Sequence, residues 1–226
     1  MAKNKSEFVK NLKLTKPQSM EYTVNLSNDK QREKFIFRIE KMVRSSMEYK
    51  DYIQFLKEHI GLNKCIFFQN VSQEKTEGRR KKVSLEIHHE PFTLFDIVKT
   101  VLAKFEEQGY PLNDLLIADE VMELHYANKV GLVPLSKTAH EMVHDSVNLF
   151  VPLTMCYGNY SEFLEEYENA GVDMDDMYEK LEKKMDMTKN ITPETFDALT
   201  RQFTYIEVDE FEDIEKMDIP EQKMYA

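Results

Sequence analysis

VSLEIHHEPF (residues 83–92) and GLVPLSKTAHEMVH (residues 131–144) are the two stretches from which the fold is read, and they hold four of the six histidines. Val83, Leu85 and Ile87 alternate with Ser84 and Glu86, the two-residue period of a half-buried strand. That strand delivers His88 and His89 at its end, and Pro91 stops it. In the second stretch the apolar run LVPL leads to Ser136, a residue suited to cap a helix, so Lys137 to about Val147 reads as helical. His140 and His144 then stand one turn apart on one face.

Two imidazoles four apart on a helix can share an ion, and a third from a strand end gives a three-histidine set with an open position, the pattern of a catalytic metal. Successive strand residues point to opposite faces, so His88 and His89 serve one site only if the chain turns there, as Pro91 suggests. One of them would then bind metal while the other moves a proton. Glu86, two residues before His88, shares its face and can orient a ligand as an outer acceptor.

This arrangement resembles the ββα-metal motif of HNH endonucleases, and EIHH with a nearby proline is especially similar to colicin-type DNases. The resemblance spans residues 83–144, interrupted by a helical insertion. It implies that His88, His140 and His144 are metal ligands and that His89 is the general base in hydrolysis of DNA phosphodiester bonds. His89 would take a proton from an in-line water, and the ion would stabilise charge on the transition state and the leaving oxygen. The family's central asparagine falls where this chain has Gly131; Asn128, three residues earlier, is the candidate to hold the base. All-imidazole ligation favours zinc or nickel by affinity, with magnesium or manganese the other candidates for the single divalent ion. Many relatives carry a zinc knuckle opened by CxxC. Here Cys65 is followed by Phe68 in the second position, so apolar packing is expected to hold that hairpin.

The expected architecture is α+β: an HNH-like core with a long helical insertion, flanked by basic N-terminal helices and an acidic, mostly helical C-terminal region. Three stretches follow. Residues 1–60 form a basic arm and two helices, 61–150 the HNH-like domain with its insertion over 92–127, and 151–226 the acidic region with its tail. Helices are expected from Asp29 to about Arg44 after Asn28, from Met47 to Ile60, from Leu94 to Gln108, and from Asn113 or Asp114 through Tyr126. Beyond the motif, Ser161 is expected to cap a helix to Asn169, with another over about Met174–Met187 and a further start at Thr192-Pro193. Strands are expected over Lys64–Val71 and, less regularly, Leu149–Leu153.

A hydrophobic fraction of 42% in 226 residues suffices for a true core. No apolar run reaches membrane-spanning length and the N-terminus lacks a signal peptide's apolar core, which points to a cytoplasmic protein without membrane contact. Two cysteines give no disulfide framework. Only six glycines occur, with no phosphate-binding glycine loop. The formal charge of −11 is unevenly spread: 13 basic against 8 acidic residues in 1–60, 10 against 13 in 61–150, and 7 against 20 in 151–226. The basic first helices and the run Arg79-Arg80-Lys81-Lys82, with Lys137, are candidates for DNA phosphates. The competing reading is a degenerate HNH scaffold without catalysis, binding nucleic acid or a protein partner, whose acidic C-terminus mimics DNA or inhibits the chain's own basic arm. A phage or mobile element is the setting that suits a small HNH protein with extra helices.

Overall fold

The computed structural model describes residue 26, residues 28–68, 84–145 and 149–189, and residue 191. It is an α+β protein: seven α-helices and one two-stranded antiparallel sheet among the described residues. In chain order these are α1 (Asp29–Ser45), α2 (Met47–Phe55) running into a π-helical turn over Leu56–Ile60, β1 (Leu85–His89), α3 (Leu94–Glu107), α4 (Asp114–Tyr126), β2 (Leu132–Ser136), α5 (Lys137–Asp145), α6 (Tyr160–Asn169) and α7 (Asp175–Lys189).

The helix starts follow local chemistry. Asn28 accepts from the Lys30 amide at 2.9 Å, Asn113 from Leu115 at 2.8 Å, and Ser136 Oγ from Ala139 at 3.2 Å. Thr93 and Asp96 close a capping box that starts α3. Gly61, with φ of +90°, ends the π turn. The expected helix from Met47 to Ile60 therefore exists but changes pitch at Leu56. The helix expected from Ser161 begins one residue earlier, after Asn159. In place of the strand expected from Lys64, the described part to Phe68 makes a backbone bond from Ile66 N to the Pro134 carbonyl at 3.1 Å, against the outer edge of β2. The basic run Arg79–Lys82 and the helix expected at Thr192 lie outside the described residues.

The register pairs Glu86 with Leu135, Ile87 with Pro134, His88 with Val133 and His89 with Leu132. Because paired residues share a face, the sheet has two distinct sides. Ile87, His89 and Leu132 face a helical core built from α1 to α4, where Phe35, Ile39, Leu94, Val98, Val101, Ile117 and Val121 are essentially fully buried. Phe163, Tyr167 and Met177 from α6 and α7 belong to the same core, so one apolar cluster draws on all three stretches of the chain. Glu86, His88, Val133 and Leu135 face α5, where Val133 and Leu135 pack with Ala139, Cys65, Phe67 and Val151 in a second cluster. Cys65 is buried in that cluster as a free thiol, so apolar packing holds this segment, as the missing CxxC implies.

Gly131 stands where β1 and β2 part. Its carbonyl accepts from Glu90 N at 3.0 Å, and a Cβ there would lie 1.9 Å from the Glu90 carbonyl oxygen. No side chain fits, so the asparagine that the HNH resemblance places at this point has no room here.

Candidate functional site: a three-histidine cluster between β1 and α5

β1 offers His88 on the sheet face that α5 covers, and α5 presents His140 and His144 toward it. Their ring centroids lie 5.0 Å from that of His88 in both cases, and one nitrogen from each ring falls within 4.8 Å of the others. The Nε2 atoms of His140 and His144 are 3.2 Å apart. Two imidazoles on one tetrahedral ion, with bonds of about 2.0–2.1 Å, have their nitrogens about 3.3 Å apart. The separation fits two ligands of one ion and equally an ordinary hydrogen bond between the rings.

Two carboxylates flank these rings. His140 Nδ1 donates to Glu86 Oε2 at 2.7 Å, which leaves the Nε2 lone pair facing His144. Partial burial, followed by repulsion from His88, holds the His140 imidazolium below its ordinary range, so the ring is neutral at pH 7 despite the pull of Glu86. On the other side of His88, Glu90 Oε2 lies 3.5 Å from Nε2, and Lys184 of α7 approaches Glu90 Oε1 at 2.6 Å. His88 and Glu90 are buried, while His144 is exposed and opens the cluster to solvent.

His89 is placed differently from the expectation. β1 stays regular through His89 and the chain turns only at Glu90-Pro91, so His89 points away from the triad into the helical core, 3% exposed. There its Nε2 meets His125 Nε2 at 3.0 Å, and its ring stacks on Tyr49. The tautomers follow from the chain of bonds. His125 Nδ1 donates to the Val121 carbonyl at 2.7 Å, so its Nε2 accepts, and His89 Nε2 must donate. His89 Nδ1 is left as a bare, buried lone pair without a hydrogen-bond partner. Burial first, then the neighbouring His125, pushes His89 well below the ordinary imidazole range, and burial takes His125 to about 4. Both rings are neutral at pH 7.

Asn128 does not hold His89. Its Oδ1 is buried without a partner, and its backbone, at φ of +58°, ties the end of α4 to Asn159 through a 2.7 Å bond from Asn159 N. The anchoring role expected of Asn128 falls to His125, 36 residues from His89 in sequence.

A family model described as bacteriophage G278-like virion protein matches residues 1–218. The chain belongs to this family. No curated protein and no solved structure matches it. Membership in the virion protein family supports the phage origin suggested by the sequence; it carries no information on HNH chemistry. Among the described residues no helix is long and apolar enough to cross a membrane.

Of the candidate phosphate contacts, Lys137 is exposed on α5 and 3.7 Å from Glu141. The arginines of basic α1 are engaged within the fold. Arg32 makes a forked contact with Glu106 at 2.8–2.9 Å, Arg38 pairs with Asp114 at 3.1 Å, and Arg44 with Glu40 at 3.0 Å. These pairs favour a packing role for α1. One group escaped sequence reasoning: Glu90, whose only signal is an acid directly following the histidine pair.

Proposed function

We propose that this virion-family protein is a metal-dependent phosphodiester hydrolase of the HNH type, acting on DNA. The observation that carries the reading is the convergence of His88, His140 and His144 on one point of a strand-strand-helix frame, with Glu86 behind His140. These three rings would hold the ion. When bound, it would supply electrostatic stabilisation of negative charge developing on the phosphoryl oxygens and the leaving group.

The remaining work falls to the chain itself. Glu86 fixes the His140 tautomer with Nε2 inward. His89, buried on the opposite face of β1 with its Nε2–H committed to His125, does not reach a water on that ion, so the base this reading needs is a group other than His89. Lys137, at the start of α5 beside the cluster, is available to a phosphate.

A second reading is favoured by the burial of His89 on the opposite face of β1. On it, the triad is a structural clip in a particle component that cuts nothing, and the acidic C-terminal region serves a protein partner. One experiment separates the two. Supercoiled plasmid is incubated with the protein and Mg²⁺, Mn²⁺, Zn²⁺ or Ni²⁺, beside calorimetric titration of the same ions. The hydrolase reading expects metal-dependent nicking that His140→Ala abolishes together with metal affinity. Metal binding without nicking supports the clip, and nicking that survives His140→Ala overturns the hydrolase reading.

A further inference from the structure

Glu90 is a carboxylate with 3% exposure, placed directly after the histidine pair, between an imidazole and an ammonium. A buried carboxylate is retained only with compensating partners. Its partners come from two distant parts of the chain: His88 Nε2 at 3.5 Å from Oε2, and Lys184 Nζ at 2.6 Å from Oε1. Lys184 does not reach in on a free helix. α7 is fastened to α3 by Lys180 on the buried Asp96 and by Asp176 on Lys99 at 2.8 Å, and its N-terminal Met177 sits in the helical core. Lys180 and Lys184, one turn apart on an otherwise acidic helix, thus dock on the two buried acids Asp96 and Glu90.

We infer that Glu90 and Lys184 form a positioning pair for the three-histidine cluster, in which Glu90 orients His88 as Glu86 orients His140. The inference rests on the metal-site reading above. Closing the 3.5 Å gap by a few tenths of an ångström gives a hydrogen bond from His88 Nε2–H to Glu90, which fixes the tautomer with the Nδ1 lone pair bare for ligation. Lys184 Nζ, 2.6 Å from Oε1, holds the carboxylate in place. The acidic C-terminal region thereby becomes part of the site: α7 sets the affinity of a centre whose ligands lie on β1 and α5.

The test is titration of the full chain with Co²⁺, read by calorimetry and by the visible ligand-field bands, for the wild type, Glu90→Gln, Lys184→Met, Lys184→Arg and His140→Ala. The expected result is Co²⁺ affinity 10–100-fold weaker in Glu90→Gln, with altered band positions. Lys184→Met should weaken it in the same direction, and Lys184→Arg should restore it. Circular dichroism checks that each variant folds; if Glu90→Gln does not, Lys184→Met and its arginine rescue decide. Wild-type binding that His140→Ala abolishes but Glu90→Gln and Lys184→Met leave within twofold, with unshifted bands, overturns the pair while sparing the metal site. Absence of wild-type binding overturns both.

Discussion

Acidification should unfold this protein through His125 before the carboxylates alone would do so. The ring is 1% exposed, edge-on to Tyr49 and Tyr52, and bonded to Val121 and His89. Burial lowers it to about 4 in the fold, against an ordinary value of 6.5. Between those values the unfolded chain binds a proton that the fold does not, so stability falls as pH falls. The contribution is fully present above pH 6.5 and is lost progressively toward pH 4. At 1.36 kcal/mol per pH unit the loss amounts to about 3 kcal/mol once the pH is below 4. His89, lowered for the same reason, acts in the same direction. The assay is urea unfolding at pH 7.0, 5.5 and 4.5 in EDTA, which removes any metal linkage, for the wild type and His125→Gln. Glutamine cannot titrate but can still accept from His89. The variant should be less stable at pH 7 and lose about 2 kcal/mol less than the wild type on going to pH 4.5. Equal pH dependence in the two proteins would refute the buried neutral pair.

Two further substitutions probe the frame of the site. Gly131→Ala forces a Cβ onto the Glu90 carbonyl and should cost about 2–3 kcal/mol by parting β1 from β2; a loss under about 1 kcal/mol in urea unfolding would contradict the close approach. Glu86→Gln removes the charged acceptor behind His140 and should weaken Zn²⁺ binding about 10-fold or more without lowering the apo-protein's melting temperature; unchanged affinity would make Glu86 an ordinary surface charge.

The parts legible in the sequence are those set by local rules. Alternation over 85–87, the caps at Asn28 and Ser136, and the four-residue spacing of His140 and His144 depend only on near neighbours, and each appears as expected. The meeting of His88 with the helical pair was also readable, because a strand, a second strand and a helix leave few ways to pack. The face of His89 was not. Pro91 suggested a turn at the histidines, yet the ladder continues to His89↔Leu132 before the turn comes. Which ring answers His89 depends on how α4 lies across the sheet, and the approach of Lys184 to Glu90 joins residues 94 apart. Local patterning does not encode either. Gly131 marks the place of a missing asparagine in the sequence, but its reason, backbone against backbone, exists only in the paired strands.

The central claim is that His88, His140 and His144 jointly hold one ion. Zinc content and affinity of the purified full chain, by equilibrium dialysis against buffered Zn²⁺, test it most directly. The account predicts one zinc per chain, lost in His88→Ala, His140→Ala and His144→Ala and kept in His89→Ala. No bound zinc, or zinc that survives loss of His140, would contradict it.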